Sequence, residues 1–258
     1  MIQGLLHSRF PFCRFGKPDG KSIVLIPGLT DAFRDAQQGS KMLSRQFSQL
    51  AEFFSITVIS RPLDCSNSLS QMADELWHVL SHYNTKKINL IGISMGGMLC
   101  QHLIKQYPKQ FASLSLVVTG LMQDHNGKKR LRRWRDLASE KNWKTLQDET
   151  LNVIYGEKSQ TTNKSITLRI TPPRSQEHFI SCVEACLNHN LSESLSPKLI
   201  DKVLILGGEL DPLYPPDATM RLAAEFDQTA QILSECSHGI VGLTAKKVQS
   251  NILQFLQT

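Results

Sequence analysis

Ser94 stands in Gly92-Ile93-Ser94-Met95-Gly96-Gly97, after the apolar run Ile88-Asn89-Leu90-Ile91 and before the helical spacing of Met98, Leu99, His102 and Leu103. A strand, a turn with glycine on both sides of a serine, and then a helix is the context in which such a serine serves as a nucleophile. The turn is too sharp for a Cβ at 92 or 96, which would run into the neighbouring strand or helix. Glycines there lift Ser94 Oγ clear of the backbone. They also set it at a helix N-terminus, whose unpaired N–H groups favour developing negative charge.

A serine hydroxyl needs a base, and the base needs an acid that holds its tautomer. Glu209-Leu210-Asp211-Pro212 follows the apolar run Val203 to Gly208, and Ser237-His238-Gly239 comes soon after Ala230-Gln231-Ile232-Leu233. Asp211 and His238 are the candidates. Asp124, beyond the run Leu114 to Val118, is a rival acid, but the loop lengths and the closeness of His238 favour Asp211. His78 and His82 have the i, i+4 spacing of a zinc pair, yet no glutamate stands at 79 as H-E-x-x-H requires, so they read as a solvated face. His102 reads as packed within the core.

These residues need a frame, and strand and helix signals alternate along the chain. Ser22 to Ile26 is continuously apolar after its first residue and stops at Pro27-Gly28; Ile56 to Ile59 repeats the pattern and stops at Arg61-Pro62. Such runs suit strands buried on both faces of a parallel sheet. Leu69, Met72, Ala73, Leu76 and Leu80 recur at helical spacing, with Ser68 and Gln71 as a capping box. A final helix carries Ala245, Val248, Ile252, Phe255 and Leu256 on one face. Regular alternation calls for a parallel sheet with helices on both sides, and such sheets place function at the carboxyl ends of their strands.

With 258 residues, 41% hydrophobic and 20% charged, the chain reads as an ordinary globule and excludes disordered and fibrous classes. No stretch has signal-peptide or membrane-helix character, so a cytoplasmic enzyme is expected. The cysteines at 13, 65, 100, 182, 186 and 236 show no C-x-x-C spacing and no His-Cys cluster, and read as buried free thiols. Cys182 and Cys186 lie one turn apart without a nearby histidine, so no metal is expected there, and no cofactor.

From about Ile23 onward the chain resembles the α/β-hydrolase superfamily, in its cofactor-independent esterase, lactonase and thioesterase branch. The resemblance rests on Ile26-Pro27-Gly28-Leu29, Gly92 to Gly97, Gly207 to Pro212 and Ser237-His238-Gly239, in the order serine, acid, histidine that these enzymes use. It implies an ester, thioester or lactone substrate, an acyl-enzyme on Ser94, and an oxyanion hole made by the N–H groups of Leu29 and Met95. The chain departs from the family where Pro27 replaces the usual histidine, and where Arg61-Pro62-Leu63-Asp64-Cys65-Ser66 replaces a glycine-rich stretch. Haloperoxidase-like or acyltransferase chemistry would use the same residues, and a fold that has lost catalysis would keep them as a binding protein.

The resemblance also divides the chain into a core of residues 1–120 and 201–258 and a helical lid of residues 121–200. Within the lid, Lys128 to Arg135 packs six cations into eight residues, with Leu131, Trp134 and Ala138 on one helix face and Lys129, Arg132 and Arg133 on the other. The apolar stripe is expected over an acyl pocket, and the basic face is a candidate dock for an acidic partner. No nucleic-acid-binding fold accompanies it, so nucleic acid is not expected. Relatives that hydrolyse pimeloyl-acyl-carrier-protein methyl ester in biotin synthesis use basic lid residues against their acidic carrier, and this chain is similar to them in that respect.

Overall fold

The computed structural model describes residues 1–82, 87–156, 171–192, 195, 199–240 and 242–257. Eight strands form one sheet: β1 (Ile2–Leu6), β2 (Phe10–Gly16), β3 (Lys21–Ile26), β4 (Phe54–Ile59), β5 (Ile88–Ile93), β6 (Phe111–Val117), β7 (Val203–Gly208) and β8 (Gln231–Leu233). The helices are α1 (Ser40–Gln46), α2 (Ser48–Ala51), α3 (Leu69–Ser81), α4 (Met95–Gln106), α5 (His125–Ser139), α6 (Trp143–Tyr155), α7 (Gln176–Asn188), α8 (Pro216–Glu225) and α9 (Gly242–Gln257). A short 3₁₀ turn, Leu29–Ala32, follows β3.

The sheet order is β1-β2-β4-β3-β5-β6-β7-β8, antiparallel at β1 and β2 and parallel from β4 to β8. The expected α/β architecture, a mostly parallel sheet flanked by helices, is therefore present. The N-terminal hairpin β1-β2 was not legible, because its residues mix charged and aromatic side chains without strict alternation. β6 begins three residues before the expected run and ends at Val117, since Val118 turns to a φ of 46°.

Alternation along the buried strands builds two cores. Val24 and Ile26 belong to one core, with Leu76 of α3 and Leu99 of α4, while Ile23 and Leu25 belong to the other, with Val248 and Ile252 of α9. Each such side chain contributes about 1.5–3 kcal/mol by leaving water. In α3 the expected face, Leu69, Met72, Ala73, Leu76 and Leu80, is buried together with Val79. Its capping box is half made: Ser68 accepts from the Gln71 amide at 3.5 Å, but the amide of Ser68 donates to Ser66 Oγ at 3.0 Å rather than to Gln71.

Between β6 and β7 the described residues hold α5, α6 and α7. The two ends of this segment are pinned together, by the bridge of Met122 with Asn190 and by the Leu191 N–H on the Leu121 carbonyl at 3.0 Å. On α5, Leu131, Trp134 and Ala138 are buried while Lys129, Arg132 and Arg133 are exposed, the division expected from their spacing. Residues 157–170, 193, 194 and 196–198 of the expected lid lie outside the described residues. No helix among the described residues is long and apolar enough to cross a membrane.

Candidate active site

The parallel register brings the carboxyl ends of β3 and β5 side by side, with Ile26 opposite Gly92. The chain then turns sharply at Ser94, whose φ of 52° and ψ of −119° are strained for a residue with a side chain. A Cβ on Gly96 would lie 2.1 Å from the Ile26 carbonyl oxygen, and one on Gly92 would lie 2.6 Å from Cys100 Sγ and Gly97 Cα. Both expected glycine requirements are thus steric facts of the turn. The Ser94 amide is anchored on the Val117 carbonyl at 2.9 Å, so β6 holds the elbow from the other side.

Asp211 and His238 arrive on adjoining loops, joined by the Leu210 amide on the Cys236 carbonyl at 2.9 Å. Asp211 has a wholly buried side chain, and His238 is 11% exposed. Asp211 Oδ1 accepts from the amides of Leu213 at 2.8 Å and Tyr214 at 3.0 Å, leaving Oδ2 for His238 Nδ1 at 2.8 Å. An ionised carboxylate only accepts, so the imidazole proton sits on Nδ1 and Nε2 keeps its lone pair. That lone pair faces Ser94 Oγ at 2.9 Å. The three expected residues form one hydrogen-bonded chain that can move a proton off the serine. The rival acid is engaged elsewhere: Asp124 Oδ1 caps α5 by accepting from the Gly127 amide at 2.6 Å.

The expected oxyanion donors begin two helical elements. Met95 opens α4 and Leu29 opens the 3₁₀ turn, positions whose N–H groups have no intrahelical partner. The surrounding turns are closed by other amides, Asp31 on the Gly28 carbonyl at 3.1 Å and Gly97 on the Ser94 carbonyl at 2.8 Å. A Cβ on Gly28 would come within 3.1 Å of Ser94 Cβ, so glycine sets how near this loop lies to the serine. A cavity of about 290 Å³ opens over Ser94 and His238, walled by apolar groups that include Phe33, Met98, Leu131, Trp134 and Leu213.

A model of the alpha/beta hydrolase fold matches residues 21–242. This chain belongs to the α/β-hydrolase family. Among solved structures, the α/β-hydrolase is similar to an enol-lactonase from Burkholderia xenovorans, with a TM-score of 0.81 and 15% identity over 100% of both chains. It is also similar to a thermophilic esterase from Thermogutta terrifontis, with a TM-score of 0.74, 20% identity and coverage of 96% and 93%. A bromoperoxidase from Bacillus anthracis matches with a TM-score of 0.77, 15% identity and coverage of 96% and 95%. At such identities the likeness carries the fold alone.

Three features of this α/β-hydrolase were not anticipated. Arg61 donates to the carbonyls of Pro27 at 2.8 Å and Gly28 at 2.6 Å, and lies 3.5 Å from the buried Asp31 carboxylate. Arg174 reaches the same loop, donating from Nε to the Asp31 carbonyl at 3.1 Å and pairing with Asp35 at 3.3 Å. Second, the insertion grips the histidine loop. Ser237 Oγ donates to the Val153 carbonyl at 2.9 Å, and the Gly239 amide donates to that of Ile154 at 3.1 Å.

The third corrects the reading of the cysteines. Cys182 does group with a histidine: Cys65, His178 and Cys182, all buried, have their S and N atoms within 4.8 Å of one another. The i, i+4 pair His178 and Cys182 was the available signal, whereas Cys65 joins only through the fold. His78 and His82 are exposed as expected, and His7 of the β1-β2 turn makes edge contacts with both, at ring distances of 5.7 and 5.1 Å. His102 packs against His189, ring centroids 5.4 Å apart.

Proposed function

We propose that this α/β-hydrolase cleaves a carboxylic ester or thioester through an acyl-enzyme on Ser94. The carrying observation is the hydrogen-bonded chain from Ser94 through His238 to Asp211, opening on an apolar cavity. In this reading His238 Nε2 takes the Ser94 proton as Oγ attacks the acyl carbon, and Asp211 stabilises the imidazolium that forms. The N–H groups of Leu29 and Met95, with the N-terminus of α4, receive the developing oxyanion. His238 then hands its proton to the leaving oxygen or sulfur. Water, activated by the same nitrogen, releases the acid.

The cavity size is near the lower end of the roughly 300–1,000 Å³ of small-molecule sites, which fits a short or medium acyl chain. The finer reading is that α5 to α7 act as a lid and that its outer basic face receives an acidic acyl carrier, as in pimeloyl-acyl-carrier-protein methyl ester esterases. Support comes from α5 itself, where Leu131 and Trp134 wall the cavity while Lys129 and Arg132 face outward. A cytoplasmic setting belongs to this reading and is supported by six cysteines without a disulfide.

Profiling with p-nitrophenyl esters of increasing chain length, beside lactones, acyl-carrier-protein esters and coenzyme A thioesters, tests the substrate class. Ser94→Ala is expected to lower turnover by on the order of 10⁶, leaving a near-background rate. A folded parent protein inert toward every arm, or an alanine variant as active as the parent, overturns the proposal.

A further inference from the structure

Cys65 lies in the turn after β4, and Cys182 lies in the middle of α7. Their sulfurs are 3.9 Å apart, with Cys182 wholly buried and Cys65 8% exposed. Cys65 Sγ is 3.4 Å from His178 Nδ1, and Cys182 Sγ is 3.8 Å from His178 Nε2. Arg174 Nη2 approaches the same Nε2 at 3.4 Å. A guanidinium only donates, so Nε2 supplies the lone pair and the ring proton sits on Nδ1, directed at Cys65. With both ring nitrogens engaged and Arg61 beside Cys182, a divalent cation would face a protonated ligand and a neighbouring positive charge. A dithiol has no such conflict.

We propose that Cys65 and Cys182 form a redox-active dithiol that a peroxide oxidises to a disulfide, tying the turn after β4 to helix α7. The other buried thiols set the contrast. Cys13 and Cys100 sit among apolar groups, and burial pushes the first up to about 12 and the second well above its usual value. Cys182 moves the other way: the hydrogen bond from Cys65 and the Arg61 charge hold it well below the usual thiol range against the cost of burial. The hydrogen bond to Cys182 and burial raise Cys65. Two sulfurs in contact, with the Arg61 charge beside Cys182, set an attacking thiol next to a resolving one.

In the first step the Cys182 thiolate attacks one peroxide oxygen. An S–O bond forms, the O–O bond breaks, and the departing hydroxide takes a proton from solvent to leave as water. Cys65 sulfur then attacks the sulfenic sulfur. The S–S bond forms, the S–O bond breaks, and the second hydroxide leaves as water with the Cys65 proton. The dithiol has lost two electrons and the peroxide has become two waters. Closure to a bond of about 2.0 Å needs the sulfurs to approach by roughly 1.9 Å, within reach of side-chain rotation and a small shift of α7. Cys65 borders a small cleft with Arg61, Met72 and Glu75, and Cys182 sulfur lies 3.9 Å behind it, so a small oxidant that enters beside Cys65 comes within reach of both thiols.

The test treats the full chain in its native state with hydrogen peroxide, blocks remaining thiols, and maps peptides without reduction. One cross-linked pair containing Cys65 and Cys182 is expected, lost on reduction with dithiothreitol, while Cys13, Cys100, Cys186 and Cys236 stay reduced. Cys65→Ser should stop at a sulfenic acid on Cys182 that dimedone traps, and Cys182→Ser should give neither product. The proposal is overturned if the parent yields no Cys65–Cys182 cross-link, if dimedone labels Cys65 rather than Cys182, or if the purified chain holds equimolar zinc that must be chelated before either thiol reacts.

Discussion

Two loops meet at Ser94, and they are held in place by different means. The turn from Gly92 to Gly97 is shaped by its own residues, since glycines at 92 and 96 let β5, α4 and the end of β3 close to contact distance. The loop from Pro27 to Asp31 is held from outside, by Arg61 after β4 and Arg174 before α7. Local sterics leave a signature within six consecutive residues. Long-range polar contacts leave none, and a loop fixed that way can be lost without any change in its own sequence.

The largest effect that separates these regions is on turnover. Asp211→Asn should keep the fold and lower turnover by roughly 10⁴, because the histidine is left in the wrong tautomer. Asp124→Asn should be nearly silent, since asparagine caps a helix about as well as aspartate. If the two variants exchange these outcomes, the acid of the site has been misassigned.

Arg61→Ala addresses the loop held from outside. It takes the nearer of two guanidiniums from the buried Asp31, leaving Arg174 at 3.8 Å and the Ser60 hydroxyl, and strips donors from two carbonyls, which should cost about 3 kcal/mol in urea unfolding. A loss below about 1 kcal/mol would mean that the 27–31 loop holds its own shape, and the contrast with the elbow would disappear.

A smaller effect is expected from the packed pair His189, which is buried, and His102, which is half-buried. Burial pushes His189 down to about 3 and His102 down to about 4. Both stay neutral in the folded chain at pH 5, while in the unfolded chain they take up protons near pH 6.5. Stability is therefore complete above pH 6.5 and is lost as the pH falls toward 4 and then 3, by at most about 1.4 kcal/mol per pH unit for His189. His189→Asn should flatten the slope of unfolding free energy between pH 6.5 and 5.5. An unchanged slope would place a proton on the folded histidine.

The smallest effect tests the basic face. Arg133 pairs with Glu149 at 2.9 Å, and Arg135 with Glu184 at 3.0 Å, so part of the charge run is spent within the insertion. Lys129 and Arg132 are in no ion pair among the described residues, and their joint reversal to Glu avoids disturbing those contacts. KM for an acyl-carrier-linked ester should rise by roughly threefold to tenfold, with a small neutral ester unaffected. Equal behaviour toward both substrates would reduce the face to a solvated surface.

What could be read from the chain follows the same division. The buried parallel strands, the α3 face and the elbow each declare themselves in a short window, through continuous apolar runs, helical spacing and paired glycines. Asp211 and His238 were legible because each follows such a strand. The β1-β2 hairpin was hidden, since β1 at the sheet edge is largely exposed and β2 carries Pro11 and Arg14 among its aromatics, so neither strand shows a clean alternation. Arg61, Arg174 and Cys65 were hidden for another reason: their roles depend on partners up to 143 residues away along the chain. A single sequence does not register such pairings.

The most direct test of the account is covalent. A fluorophosphonate probe, followed by peptide mapping of the labelled chain, should mark Ser94 and no other serine, and Ser94→Ala should abolish the label while circular dichroism stays that of the parent. Labelling at a different residue, or a folded parent chain that resists the probe at concentrations that saturate other serine hydrolases, would contradict an acyl-enzyme on Ser94.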